Sequence, residues 1–336
     1  MLLTHETTIV LNKNDANIVG HMCYAAYKLW NVCNYERNNY KNLGLEKYPD
    51  WYYQKSKHKD DLWFKSLPSQ TAQEICKLLD KSWKSFYRLK ESGGIENPGS
   101  PRYKKDKMPI TYMQNGIQHE KGSFHVRLSL PKKLKEYMTQ TYDIRAAYLY
   151  LKNPVFSNMD IIKQIKIYPP ANDGTSRILV IYEVEDVLPE EDNGHYLSID
   201  LGLHNLMTCY DNVGKTFIIG REYLSLSYFY NKEIARVQSQ WGRIQAAREM
   251  EDLKTSKHLQ KLYRKKNNCI KDYIHKMTRY ITNYCVKNDI HTVVIGDIKG
   301  IRKERNLGRK TNQKLHSLPY ARIYMQLEYK LKMKGI

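Results

Sequence analysis

The sequence predicts an α+β multidomain protein. A β-barrel is expected from residues 1–12 and 96–190, interrupted by a helical insertion at 13–95, and an incomplete α/β domain follows at 191–336. Three observations predict it. The 336 residues exceed what one hydrophobic core usually serves. The hydrophobic period changes along the chain, from helical spacing to alternation and back. The last part runs strand, strand, strand, helix, strand, helix, the order of an α/β layer.

Taken in order, HETTIVLNK at the start reads as a strand. From Asp15 to Tyr40, Ile18, Met22, Ala25, Leu29 and Val32 recur at helical spacing. A polar stretch with Trp51, Tyr52 and Tyr53 follows. Leu67-Pro68-Ser69 opens a helix to about Lys90, with Ile75, Leu78, Leu79, Trp83 and Phe86 facing inward. Gly93-Gly94 to Pro101 is a loop. Between Tyr103 and Val187, the segments ITYM, FHVRLSL, YLYL, IKQIKIYP and RILVIYEV read as short strands separated by breakers, the body of the barrel. The acidic Pro189–Gly194 stretch is a linker. Strands YLSID, NLMTCY and KTFIIG, long helices from Ser227 to Asn288, strand HTVVIG and a helix from about Gln313 to Lys334 then match the order of a ribonuclease-H-like core.

Lys and Arg number 55 against 35 for Asp and Glu, a formal charge of +20. A folded chain this basic calls for a polyanionic partner, because each neutralised phosphate releases counterions. The 28 tyrosines, many set among cations as in Tyr35–Lys41 and Pro101–Lys105, suit base stacking beside phosphate contact. A generally basic surface and an AT-rich coding bias are the alternatives. Cys23, Cys33, Cys76, Cys209, Cys269 and Cys285 form no CxxC pair, so no zinc site is expected and the thiols read as buried in a reducing cytoplasm. MLLTHETTIV lacks the pattern of a signal peptide, and no apolar run is long enough for a membrane span.

The candidate chemistry is that of a carboxylate site. Two-metal cleavage of a phosphodiester needs several acids converging on a pair of cations. Asp200 ends an apolar strand and is followed by Leu201-Gly202. The second strand, Val293-Val294-Ile295, delivers Gly296 where an acid is needed, and Asp297 falls on the opposite face of the pleat. Glu328 borders the apolar stripe of the last helix, either turned to the site or solvated. A third acid is expected after one more strand, which this sequence does not contain. At most weak, non-productive Mg²⁺ binding is expected.

The blocks SIDLGLHNLMT at 198–208, KLYRKKNNCIKDYIHKMTRYI at 261–281, VVIGDIKGIR at 293–302 and GRKTNQKLHSLPYARIYMQLEYKLKMKGI at 308–336 stand in a telling order. Residues 196–336 resemble the RuvC domain of TnpB, the transposon-encoded RNA-guided nuclease, and of the type V CRISPR effectors related to it. LPSQTAQEICKLLDKSWKSFYRL at 67–89 and PGSPRYKK at 98–105 resemble that family's recognition helices and the return into its wedge barrel. The chain departs from the active family at Gly296, where a Glu is usual, in lacking the zinc ribbon, and in lacking the last strand with its Asp. Some relatives carry the Glu on the following helix, where Glu328 would be its seat. In these departures it resembles the nuclease-dead TnpB-like repressors, TldR.

The resemblance implies a bacterial, cytoplasmic, nucleoid-associated protein with a guide RNA carrying a structured scaffold. The RNA would pair with double-stranded target DNA beside a short flanking motif, and the protein would hold the heteroduplex by shape and charge. Gln70 and Gln73 share a face of one helix and can pair with adenine, which suits an AT-rich motif. Lys77, Lys81 and Lys84 on that helix, with Arg102, Lys104 and Lys105, are expected on phosphate. Arg264, Lys265 and Lys266 in the long basic helix, and Arg302, Arg309 and Lys310 after the second catalytic strand, are expected on the heteroduplex backbone. A nuclease with a rearranged or externally completed site is the competing reading.

Overall fold

The structure, a computed structural model, describes residues 1–93, 96–249, 255–298 and 308–336. The chain divides into two compact units, Met1–Glu185 and Asp186–Ile336. No helix among the described residues is long and apolar enough to cross a membrane.

The first unit opens with strand β1 (Leu2–Val10) and helix α1 (Lys13–Asn38), whose first turn is capped by the Asn12 side chain accepting from the Asp15 N–H. Helices α2 (Trp51–Lys57), α3 (Leu62–Lys65) and α4 (Ser69–Ser92) follow. Strands β2 (Ile110–Met113), β3 (Ile117–His119) and β4 (His125–Ser129), helix α5 (Lys132–Tyr142), and strands β5 (Tyr148–Lys152), β6 (Ile161–Ile167) and β7 (Thr175–Glu183) complete it. Alternate residues of the strands, among them Ile110, Val126, Leu128, Leu149, Leu151, Ile165 and Val180, are fully buried, the period-2 pattern read from the sequence. They share one core with Ile18, Met22 and Leu29 of α1 and Ile75 and Leu79 of α4.

Among the described residues the expected closed barrel does not form. β1-β7-β6-β2 make one sheet and β3-β4-β5 another. A 3₁₀ turn at Gln114–Gly116 separates β2 from β3, so the chain changes sheet there instead of continuing the ladder. Gly116 allows the turn to lie close to its neighbours, since a Cβ there would come within 3.2 Å of the Tyr112 ring and 3.3 Å of the Ser129 hydroxyl. Helix α5, expected as part of the strand-rich region, is held by only two buried residues, Leu134 and Met138. Leu78 and Val32, expected inward, are exposed, and Cys33 takes the buried position beside Val32.

Another correction concerns Arg37, one of the cations of the Tyr35–Lys41 run expected beside phosphate, together with its neighbour Glu36. Both are buried, in a polar knot that ties α1 to α2 and α4. Arg37 donates two bonds to Asp80 (3.0 Å each) and one to Gln54 (2.9 Å). Gln54 donates to Glu36 and to the Cys33 carbonyl. Lys57 also donates to Glu36, while His58 offers one ring nitrogen to Glu36 (3.3 Å) and the other to Asp61 (2.6 Å). Burial opposes the charge on Glu36, but bonds from His58, Lys57 and Gln54 outweigh it and hold the carboxyl down at about 2. Burial likewise opposes charge on His58, and the two carboxylates outweigh it and raise its pKa.

The second unit begins with a meander of β8 (Tyr196–Asp200), β9 (Met207–Asp211) and β10 (Thr216–Ile219). Helices α6 (Glu222–Ala247) and α7 (Lys257–Lys287) lead to β11 (Thr292–Ile295), and α8 (Arg309–Ser317) and α9 (Tyr320–Lys332) follow. The sheet order is β10-β9-β8-β11, with β11 parallel to β8 and the other pairs antiparallel. Gly220, at φ +92°, turns β10 into α6 where a Cβ would meet the Leu206 Cβ at 2.4 Å. The single closing helix expected from 313 to 334 is two helices, broken at Leu318-Pro319, since proline has no N–H to continue the ladder. Ile274, Met277, Ile281 and Cys285 of α7 and Ile323 and Leu327 of α9 pack with Leu197 and Ile199 of β8.

Two stability outcomes follow from the polar knot. Asp80→Ala strands a buried guanidinium and lowers unfolding free energy by roughly 3–5 kcal/mol in denaturant titration. His58 has a folded pKa above its ordinary 6.5, so its contribution is complete below that value and fades as pH rises through the raised pKa. Glu36 behaves oppositely, contributing fully above its ordinary 4.5 and losing its contribution as pH falls toward 2. The melting temperature therefore drops as pH rises from below 6.5 through the raised His58 pKa, and His58→Gln flattens that drop. An unchanged slope in the variant would contradict the assignment.

Candidate nucleic-acid interface and carboxylate site

The parallel ladder of β8 and β11 sets the geometry of the carboxylate site. Ile199 lies opposite Ile295, and the Gly296 N–H donates to the Ile199 carbonyl at 3.2 Å. The next pair in register is therefore Asp200 and Gly296, whose side-chain directions fall on one face of the sheet. Asp200 is exposed at the strand end, and no hydrogen bond or ion pair engages its carboxylate among the described residues. At Gly296 a Cβ would meet no atom of the described residues within 4 Å.

Two tyrosines that the sequence reading passed over close this end of the sheet. The Tyr320 hydroxyl donates to the Gly202 carbonyl at 3.3 Å, and the Tyr324 hydroxyl donates to the Gly296 carbonyl. Their spacing of four residues, continued by Glu328, is the signal that could have found them. Glu328 stands one turn beyond Tyr324 but on the solvent flank. Its side chain is 65% exposed and its carboxylate pairs with Lys332 at 3.0 Å. Of the two readings open for Glu328, the solvated one describes its position. Asp297 lies beyond the end of β11 and is exposed.

Mg²⁺, the ion that the resemblance implies for cleavage, takes converging oxygen ligands. At the paired strand ends the donors are one carboxylate, Asp200, beside a residue with no side chain. No group of three or more His, Cys, Asp or Glu among the described residues is arranged to hold a metal ion. Among the described residues, this donor set does not fit a two-metal centre.

The basic residues fall into three kinds. On α4, Lys77 pairs with Glu74 (2.7 Å) and lies over the Trp51 ring (4.9 Å), and Lys84 pairs with Asp80 (2.8 Å). Lys81 is exposed. Gln73 donates to the Ser69 hydroxyl at 3.2 Å, while the Gln70 amide oxygen is buried without a hydrogen-bond partner among the described residues. The segment carrying Arg102, Lys104 and Lys105 is tied to α1 through its backbone. Trp30 donates to the Arg102 carbonyl and Asn34 to that of Pro101, and Asn31 both donates to and accepts from the Lys104 backbone. With the main chain so engaged, the Arg102 and Lys105 side chains face solvent, and Lys104 lies over Trp30 at 4.6 Å.

On α7 the buried face carries Ile270, Ile274, Met277 and Ile281. Lys257, Lys261, Arg264 and Lys271 recur at helical spacing on the exposed side, a stripe of about 21 Å. Arg264 and Lys265 have no hydrogen-bonded or ionic partner among the described residues. Lys266, expected with them on nucleic acid, turns inward. It donates to Asn231 of α6 at 2.6 Å, and burial lowers its pKa. Lys276 is paired with Asp272 (2.7 Å). Lys330 of α9 is another inward cation, donating to the His275 carbonyl and the Thr278 hydroxyl of α7. Burial, with the charge of Arg279, brings it down to about 8. Arg302 lies outside the described residues. Arg309 and Lys310 stand in the first turn of α8, their side chains outside the described set.

Residues 179–302 match the model of the OrfB_IS605 family, described as a probable transposase. Among solved structures, a chain from the cryo-EM structure of the Cas12f1–sgRNA–target DNA complex is 14% identical with a TM-score of 0.56, the match covering 96% of this chain and 71% of that one. A chain from a CRISPR-Cas12f ternary complex is 16% identical over 96% of this chain and 69% of its own, with a TM-score of 0.33. No curated protein matches. The family match and the Cas12f1-like fold bear out the resemblance to a TnpB-related relative of the type V effectors.

The exposed stripe on α7 yields a direct outcome. Arg264→Glu with Lys265→Glu weakens RNA or DNA binding and reduces the slope of log affinity against log salt by roughly 1.5–2. Lys266→Met leaves that slope unchanged and lowers the melting temperature instead. Superimposable salt titrations of the double variant and the parent would rule out the stripe as a phosphate contact.

Proposed function

We propose that the protein is an RNA-guided, sequence-specific DNA-binding protein that does not cut its target, and that it represses transcription by occupying promoter DNA with a guide RNA. The observation that carries the second half is the pairing of Asp200 with Gly296 at the ends of β8 and β11. A residue without a side chain stands where a second ligating oxygen is needed. The first half draws support from the match of residues 179–302 to a transposase family, and from a fold like that of a Cas12f1 chain whose structure holds a single-guide RNA and target DNA.

In this reading the second unit is RuvC-like and the first combines wedge strands with recognition helices. The RNA scaffold and the guide–target heteroduplex lie against basic faces such as the α7 stripe, where contact to phosphate is independent of sequence. Sequence is read by base pairing. Gln70 and Gln73 read a short AT-rich flanking motif, since a glutamine amide matches the donor–acceptor pair of adenine in the major groove. The buried, unpartnered oxygen of Gln70 then gains its partner on binding. Lys81, Arg102 and Lys105 approach phosphate with their charges uncommitted.

A second reading, an RNA-guided DNA endonuclease, draws on one specific observation: Asp200 is exposed and unengaged at the strand end, as a working ligand is. It requires Asp297 and Glu328, or a part supplied from outside, to complete the site.

The two readings part in one assay. Protein purified with its RNA is mixed with guide-matched and scrambled duplexes in Mg²⁺ or Mn²⁺. The proposal expects RNA-dependent retention of the matched duplex, no strand cleavage, and the same retention in Asp200→Ala. Specific cleavage lost in Asp200→Ala would establish the endonuclease. Equal retention of matched and scrambled DNA would end the guided reading.

A further inference from the structure

A cleft of about 980 Å³ lies within the first unit, over the N-terminal half of α1. Its floor is made of small residues, Ala16, Gly20 and Ala25. At Gly20 the nearest atom to an added Cβ is the Lys107 ammonium, 3.5 Å away, so the floor is open above the helix. One wall is α3 with Trp63, another is α5 with Tyr137, and the hairpin joining β6 to β7 closes a third side.

The rings form two groups. His21 meets Tyr137 edge to face at 5.2 Å and lies tilted against Tyr142 at 5.3 Å, and the two tyrosines meet edge to face. Tyr24 contacts Trp63 at 5.7 Å and Tyr27 at 5.0 Å, and the Lys28 ammonium lies over both tyrosines. Tyr24 and Tyr137 are 37% and 43% exposed, so their faces are not consumed by the core. Charge follows the same pattern. The acids on the rim are already engaged, Glu136 by Lys132 and Lys133, and Asp173 by the Thr175 N–H of its own turn. Lys13 and Lys107 have no carboxylate partner among the described residues.

We infer that this cleft binds a short unpaired stretch of a nucleic-acid strand. Splayed bases stack on Tyr24, Trp63 and Tyr137, and the phosphates between them meet Lys13 and Lys107. Bases in a duplex are stacked on one another and offer only their edges, whereas an unpaired base presents a face to an aromatic ring. The volume is at the upper end of that of small-ligand sites, room for roughly two or three nucleotides. Exposed rings alone would also suit a peptide, but free cations beside engaged acids select a polyanion. The inference rests on the nucleic-acid reading above and adds a specific single-strand subsite to it.

The test uses the full chain and fluorescent pentamers of uridine and of deoxythymidine, followed by polarisation and by tryptophan quenching. Either pentamer should bind and quench emission, and the tighter of the two identifies the strand as RNA or DNA. Trp63→Phe should remove the quenching with affinity largely kept, since phenylalanine still stacks. Tyr24→Ala with Tyr137→Ala should weaken binding roughly tenfold or more, and Lys13→Ala with Lys107→Ala should lower the salt slope by roughly 1.4. Undiminished quenching in Trp63→Phe overturns the inference, as does affinity within about twofold of the parent in the tyrosine variant with its melting temperature unchanged. Change in Trp63 emission with protein concentration alone would assign the cleft to protein and overturn it too. Failure here leaves guide-dependent retention of matched duplex intact. Loss of that retention in the parent protein would sink the functional reading and leave the pentamer result standing.

Discussion

The parallel pairing of β8 with β11 is the constraint on which the second unit depends. It is the sheet's one parallel pair, so the chain must cross over between the two strands, and α6 and α7 make that crossover. The same pairing brings the ends of the two strands together in register and decides which residues share the face where Asp200 stands. α9 closes the arrangement by laying Tyr320 and Tyr324 against the backbone just past each strand end. These hydroxyl–carbonyl bonds hold the geometry of a carboxylate site through main-chain atoms. The scaffold at this end thus leans on main-chain atoms of Gly202 and Gly296 and not on a side chain at position 296.

In the first unit the organising contact is electrostatic. Arg37, Asp80, Glu36, Gln54 and His58 lock α1, α2 and α4 together beneath surfaces that carry the exposed cations. Buried charges of this kind cost more to separate than surface pairs. The helices are thus held rigid while Lys81 of α4 and Arg102 and Lys105 of the return segment remain uncommitted. Lys266 and Lys330 show the same separation in the second unit. They serve helix packing, and the Arg264–Lys265 edge of α7 stays exposed.

Local pattern carried much of this in the sequence, and distant partners decided the rest. Strands such as ITYM and RILVIYEV were legible because alternate residues face one core. Barrel closure was not, since it turns on whether the chain runs on from β2 to β3, and a three-residue turn at Gly116 ends the run. α5 went unseen because two buried residues make too short an apolar stripe. The break before Tyr320 was visible as Pro319 and was read through. The positions of Asp200 and Gly296 at the strand ends were both legible from strand pattern. The inward turn of Lys266 depends on Asn231, 35 residues earlier, and the burial of Arg37 on Asp80, 43 residues later. No periodicity within a single helix encodes such partners, which is why one basic run contained both surface and packing cations.

The central proposal is that Asp200, with no carboxylate beside it at the paired strand ends among the described residues, holds no catalytic cation. Manganese titration of the parent protein, Gly296→Glu and Asp200→Ala, followed by calorimetry and electron paramagnetic resonance, tests it most directly. A Cβ at position 296 meets no described residue within 4 Å, so the substitution leaves the described strand pairing unhindered. The account predicts no saturable Mn²⁺ binding in the parent that depends on Asp200, and a new site in Gly296→Glu that Asp200→Ala removes. Saturable binding in the parent, abolished by Asp200→Ala, would contradict it.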